Sequence, residues 1–268
     1  MAGFRPATVD VWGLPFARVT LEQSIDWIGE LVARGEPEYL ITANLNYVML
    51  AAQQASLREL SRGAIGVLAD GMPIVWRSRI GSRIGASEAL PERVAGSEMI
   101  YRIAERSARD GWRIYFLGAA PGIAQRCADA LLERNPGMQI AGVESPPFRQ
   151  LTAAEEAEQE ERIRAARPDV LLVAFGQPKG EQWIAARYKR LGVPVSIQLG
   201  ASFDFVAGAA RRAPLAWQKV GMEWAYRMLS DPRRLVPRYA ENAAFLAKTV
   251  VSDTYVSLFR RTSIPSEP

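Results

Sequence analysis

The sequence predicts an α/β fold, a mostly parallel Rossmann-like sheet covered by helices, with a basic amphipathic helical appendage at the C-terminus. Three observations predict it. Short apolar runs alternate with segments whose apolar residues recur at helical spacing, the pattern of strands buried on both faces by crossover helices. The 268 residues, 49% hydrophobic, suffice for one large α/β domain and an appendage. After Gln198 the alternation stops, and between Arg211 and Arg238 seven cations oppose only Glu223 and Asp231, a local +5 in a chain of formal charge +4.

In chain order, the expected strands are Tyr39 to Thr42, Gly66 to Ala69, Trp112 to Leu117, Met138 to Val143, Val170 to Phe175 and Val193 to Gln198. The expected helices are Asn46 to Arg62, Gly96 to Arg109, Pro121 to Arg134, Ala153 to Ala166 and Lys179 to Leu191. The fourth of these carries EEAEQEER, a charged face whose carboxylates read as solvated. Residues 1–208 are expected to form the α/β unit and 209–268 the helical appendage, with the boundary where Gly208 to Pro214 breaks the pattern.

Within the appendage, Trp217, Val220, Trp224 and Met228 make one apolar helical stripe, and Glu223 and Arg227 form an i, i+4 pair. Asp231 and Pro232 can end that helix and start another. Arginine forks beside aromatic rings suit a pyrophosphate held at a membrane surface, although a plain solvated basic face has the same composition.

Composition removes several chemistries. The single cysteine, Cys127, forbids an internal disulfide, and its setting in QRCADALL places it on a buried helix face. There is no histidine, so any general base is a carboxylate, a Tyr or a Lys. No D-x-D pair is present to offer a metal to a nucleotide diphosphate, and neither a metal nor a cofactor is expected. The apolar stretch Ala243 to Phe259 is broken by Lys248 and Asp253, short of the roughly 20 residues a span requires. With no basic-then-apolar N-terminal stretch either, the expected location is cytoplasmic, peripherally at the inner face of the cell membrane.

Parallel sheets bind ligands beyond the carboxyl ends of their strands, so the candidate site residues are sought there. Thr42 and Asn44 follow one apolar run, and Asp70 and Gly71 follow another. An Asp at such an end, with a glycine that lets substrate approach the backbone, can take a proton from a sugar hydroxyl; Asp-Gly is equally a turn sequence. Gly118 and Gly122 mark a strand-to-helix turn able to cradle a diphosphate, and FGQPKGE from Phe175 adds Lys179 and Glu181 at a helix start. Neither the dinucleotide G-x-G-x-x-G nor a P-loop sequence occurs. The arginine cluster is then the group available to neutralise a leaving pyrophosphate.

Read in order, ITANLNYVM, ADGMPIVW, LPERVAGSEM, YFLGAAPGIA, PDVLLVAFGQPKGEQW, LGASFDFVAGAARRAP and MEWAYRMLSDPRRLVPRY resemble the WecG/TagA/CpsF family of bacterial glycosyltransferases, over Tyr39 to Phe245. The resemblance implies inverting, metal-independent transfer from a UDP-sugar to a polyprenyl-diphosphate-linked saccharide in surface polysaccharide or exopolysaccharide synthesis. It implies Asp70 as base, Thr42 and Asn44 near the donor, Asp204 near the nucleotide base and Arg93 on the acceptor side. It also implies diphosphate contacts among Arg211, Arg212, Arg227, Arg233, Arg234 and Arg238. Two departures bear on the sugar: the family's usual P-K-Q-E-x-W has Gly180 in place of Gln, and Ser145-Pro146-Pro147-Phe148 replaces a Gly-Tyr-Phe. UDP-N-acetylmannosamine, its uronic acid and UDP-glucose are the candidate donors.

Two other classes fit parts of the sequence. A nucleotide-dependent oxidoreductase would share the sheet but lacks the fingerprint, and a basic nucleic-acid binder would suit the pI of about 9.4 but not charge confined to one block. No nucleic-acid partner is therefore expected. The apolar stripe could also serve a homo-oligomer.

Overall fold

The apolar runs become the middle of one sheet because their residues are buried on both faces. In the computed structural model, which describes residues 5–83, 88–210, 214, 217, 223–230, 233, 236, 237, 240–247 and 249, they lie in an eight-stranded sheet. The elements in chain order are β1 (Thr8–Val11), β2 (Leu14–Ala17), α1 (Leu21–Arg34), β3 (Glu38–Ala43), α2 (Leu45–Gln53), α3 (Ala55–Gly63), β4 (Gly66–Ala69), α4 (Met72–Arg83) and α5 (Gly96–Asp110). They continue with β5 (Arg113–Gly118), α6 (Ile123–Arg134), β6 (Gln139–Glu144), α7 (Ala153–Ala166), β7 (Val170–Ala174), α8 (Lys179–Leu191), β8 (Val195–Gln198), α9 (Ser202–Val206) and α10 (Glu223–Ser230). The sheet order is β1-β2-β4-β3-β8-β7-β5-β6, parallel except for the edge strand β1. The expected α/β fold with a mostly parallel sheet is therefore the fold observed.

Helices cover both faces. The core on one side collects Trp27 and Ile28 from α1, Ile100 and Ile103 from α5, and Cys127 and Leu131 from α6. On the other side it collects Tyr47 and Val48 from α2, Leu57 from α3, Ile163 from α7 and Ile184 from α8. Thus β5 hands the chain to a helix on one face and its neighbour β7 to a helix on the other. Their two turns part above the sheet, the arrangement that opens a crevice at the carboxyl ends.

Several elements differ from the sequence expectation for local reasons. The single helix expected over Asn46 to Arg62 breaks at Gln54, whose φ of −122° and ψ of 111° are extended. Arg58 compensates, donating to the carbonyls of Ala51 and Ala52 at 2.7 and 3.0 Å. Helix α6 starts at Ile123 rather than Pro121, because Gly122 caps it in a left-handed conformation, φ 78°. The charged face of α7 is not wholly solvated: Glu160 is buried and paired with Arg190 at 2.6 Å and Arg187 at 3.0 Å, which clamps α7 to α8. Cys127 lies on the buried face of α6, as expected.

The hairpin β1–β2, helix α1 and helix α4 were outside the expected elements. Trp12 and Gly13 both take positive φ, 53° and 80°, the two-residue turn that matches hairpin twist. Thr20 and Gln23 form a reciprocal capping box on α1. Residues 240–247 are helical, and Phe245 meets the Trp12 ring edge-on at 5.9 Å, which docks that segment on the hairpin. The expected stripe of Trp217, Val220, Trp224 and Met228 and the break at Asp231-Pro232 lie in large part outside the described residues. Among the described residues no helix is long and apolar enough to cross a membrane.

Candidate active site

The polar residues that end the central strands share one level of the sheet. The β3–β4 register pairs Thr42 with Leu68 and Ala43 with Ala69, so Asn44 and Asp70 are the next residues beyond the paired ends. The Asp70 amide donates to the Ala43 carbonyl at 2.9 Å, which fixes the start of its loop against β3. The Val94 amide donates to the Ala69 carbonyl at 2.9 Å, bringing Arg93 beside the same strand end. Arg93 is partly buried and pairs with Glu98 at 2.5 Å. Asp70, Asn44, Gly71 and Arg93, drawn from separate motifs, are thus brought together.

Thr42 forms the floor. It is 3% exposed, and its hydroxyl donates to the Gln198 carbonyl at 2.7 Å, tying β3 to β8. Asn44 stands at the lip, where its Oδ1 accepts from the Tyr47 amide at 3.2 Å and caps α2. Gly71 differs from a turn glycine. It has no positive φ, and a Cβ there would meet only Pro73 Cδ at 3.8 Å, so neither backbone nor packing demands glycine.

Gly118 is demanded by packing as well as by φ of 111°: a Cβ would sit 2.9 Å from the Ala174 carbonyl carbon and oxygen. In the turn that follows, Ala119 N–H donates to Ala174 O and Ile123 N–H to Ala120 O, both at 2.9 Å. The Ala119 N–H of the turn and the first N–H of α6 are therefore already committed. Asp204, in α9, stands against α6, close enough that its charge joins burial in pushing the Cys127 thiol up to about 12.

The turn after β7 supplies the residues that sequence reasoning left out or only touched. Gln177 Nε2 donates to the Thr42 carbonyl at 2.9 Å. Gln198, 1% exposed, places its carboxamide nitrogen 2.6 Å from Val173 O and its oxygen 3.0 Å from Gly176 N. A Cβ at Gly180 would run into that carboxamide, so the glycine that departs from the usual motif makes the room Gln198 occupies. The signal for Gln198 was present, a polar residue ending a buried run, as for Asn44 and Asp70. Lys179 is exposed at the first position of α8, whereas Glu181, two residues on, is 1% exposed. Burial pushes the Glu181 carboxyl up to about 8.

Of the arginines, Arg233 is exposed; Arg211, Arg212, Arg234, Arg238 and the side chain of Arg227 lie outside the described residues. On α4, directly after the Asp70-Gly71 turn, Trp76 and Ile80 are exposed at 45% and 53%, one helical turn apart.

The chain is similar to known proteins over most of its length. Residues 9–256 match the model of the glycosyl transferase WecG/TagA/CpsF family. A protein of Staphylococcus aureus (strain MW2) named N-acetylglucosaminyldiphosphoundecaprenol N-acetyl-beta-D-mannosaminyltransferase is 27% identical over 231 residues, 85% of this chain and 87% of the relative. Its counterparts in strains NCTC 8325 / PS 47 and MRSA252, under the same name, show the same identity and coverage. With a family match across residues 9–256, the chain belongs to the WecG/TagA/CpsF family and is a glycosyltransferase.

Proposed function

We propose that the protein transfers a sugar from a UDP-sugar to a polyprenyl-diphosphate-linked saccharide, with inversion and without a metal ion, as a step in building a surface polysaccharide or exopolysaccharide. The observation that carries this reading is Asp70 at the end of β4, beside Asn44 and Arg93 and next to a glycine that folding does not require. The relatives' name, which specifies a diphosphoundecaprenol-linked acceptor and an N-acetylmannosaminyl group, supports the acceptor class and makes UDP-N-acetylmannosamine the first donor to test.

In this reading Asp70 accepts the proton of the acceptor hydroxyl as that oxygen attacks the anomeric carbon. The bond from that carbon to the UDP oxygen breaks on the opposite face, and UDP leaves with the electron pair. Asn44 spends its Oδ1 on capping α2, and its NH₂ group serves the donor. Gly71 admits the substrate to the backbone, while Lys179 and the C-terminal arginines offset the charge that develops on UDP. Trp76 and Ile80 give α4 an apolar face for the polyprenyl chain, and the basic C-terminal segment holds the protein at the cytoplasmic membrane surface.

The test is a mass-spectrometric product assay that offers a panel of UDP-sugars with polyprenyl-diphosphate-linked monosaccharides, in buffer containing a chelator. A disaccharide lipid formed under chelation supports the reading. Sugar transfer restored only by added divalent ion contradicts metal independence, and folded protein that forms no product from any pair contradicts the assigned reaction.

A further inference from the structure

Beneath the crevice lies a buried carboxyl group that the proposed reaction does not use. Both carboxyl oxygens of Glu181 and the Oε1 of Gln177 are buried with no hydrogen-bond partner among the described residues. When Glu181 is ionised, all three atoms are acceptors with no donor among them, a costly arrangement away from water. A single proton on Glu181 turns two of the three into a donor and its acceptor. Gln177 stands one helical turn before Glu181, in a stretch whose Gly180 and Gln182 amides bond back to Gly176 and Pro178, and its amide nitrogen already donates to the Thr42 carbonyl at 2.9 Å. The Thr42 hydroxyl in turn donates to Gln198 O at 2.7 Å.

We propose that Glu181 is a positioning residue: as a neutral carboxylic acid it donates its hydrogen to Gln177 Oε1 and so fixes the amide that grips the Thr42 carbonyl. Through that grip it sets the end of β3, two residues before Asn44. The inference rests on the reading of the crevice as the sugar-transfer site, because it assigns Glu181 a part in shaping that site. No carbon bond forms or breaks at Glu181, and its proton stays on the carboxyl throughout turnover.

Among the described residues, the titratable groups that face Glu181 are tyrosines rather than cations. From α2 comes the Tyr47 phenol, raised by burial and further by Glu181 itself, and bonded to Ser61 at 3.0 Å. Behind it on β3 is Tyr39, pushed up to about 12, mainly by burial. On its own helix Lys179 is exposed, and Arg187 pairs with Glu156 and Glu160 of α7. Burial therefore governs the titration of Glu181, which holds its proton below about pH 8. As pH rises past that point the proton leaves, Gln177 Oε1 loses its donor, and turnover falls.

Two readouts on the full chain test this. The first is the pH dependence of sugar transfer for wild type, Glu181→Gln and Glu181→Ala. The Gln variant keeps an N–H donor at every pH, so it should restore most of the turnover lost in the Ala variant, and it should lack the wild-type fall above about pH 8. The second is infrared difference spectroscopy between pH 6.5 and pH 9.5, which needs no catalysis. A protonated-carboxyl band should be present in wild type at the lower pH, lost at the higher, and absent from Glu181→Gln. An unchanged alkaline fall in Glu181→Gln, wild-type turnover in Glu181→Ala, or no Glu181-dependent band would each overturn the proposal. Absence of transfer by every protein would count against the reaction assigned above, while the infrared band would still decide the state of Glu181.

Discussion

Gln177 Nε2 donates to the Thr42 carbonyl across 2.9 Å, joining residues 135 positions apart. With Thr42 Oγ1 on Gln198 O and the Gln198 carboxamide on Val173 and Gly176, the ends of β3, β7 and β8 are cross-linked into one rigid floor. Groups held in place before substrate arrives need little reorganisation as charge develops, which is how such a floor aids a displacement at its edge.

The packing of Gly180 against Gln198 predicts a stability effect at a position that the usual motif fills with a larger residue. Gly180→Ala forces the Gln198 carboxamide off its two partners, and the strain should cost about 1–3 kcal/mol. Urea denaturation measures it, and the double variant Gly180→Ala/Gln198→Ala should recover part of the loss. A single variant as stable as wild type would mean Gln198 moves aside without cost.

Gly71 predicts the opposite pattern. Its backbone is accessible to any residue and its Cβ position is open, so Gly71→Ala should leave stability within about 0.5 kcal/mol. Sugar transfer should nonetheless fall at least about fivefold in kcat/KM, close to 1 kcal/mol at the transition state. Unchanged kinetics would place the substrate away from this turn.

The exposed pair on α4 predicts a dependence on the lipid. Trp76→Ser/Ile80→Ser should raise KM for a long-chain acceptor about tenfold, which corresponds to about 1.4 kcal/mol of lost apolar contact, and leave a short-chain acceptor unaffected. Equal kinetics for both acceptors in wild type and variant would remove α4 from the acceptor site.

Glu160 predicts a pH dependence of stability. Its hydrogen bond to Arg190, with further support from Arg187, holds the carboxyl below its ordinary value of 4.5. A carboxyl lowered in the folded state stabilises fully above the unfolded value and loses that contribution as pH falls through the folded one. Glu160→Gln should therefore destabilise by about 1–2 kcal/mol at pH 7, discounted for the half-exposed Arg190, with the difference from wild type vanishing on acidification below 4.5. Thermal melts at pH 7 and pH 3 read both.

The strands buried on both faces were legible because parallel sheets concentrate apolar residues; β4 and α7 were read with the bounds the structure shows, and α8 likewise. The hairpin was not, since β1 and β2 have four residues each and their turn carries Trp12-Gly13 rather than Asn-Gly. The break at Gln54 left no local mark, because Arg58 stabilises it from four residues further on. Asp70 and Asn44 could be found from strand ends. Gln198 was marked by the same signal, but its partners and the burial of Glu181 were not legible, because both depend on which helix lands on which strand.

The central claim is that Asp70, at the end of β4 beside β3, is the base for sugar transfer. The most direct measurement compares Asp70→Asn with wild type in single-turnover product formation, using the donor and acceptor identified by mass spectrometry, with UDP binding followed in parallel by calorimetry. The account predicts a loss of roughly 10²-fold or more in the rate of product formation, with UDP affinity nearly unchanged. An Asp70→Asn protein that forms product at the wild-type rate would contradict it.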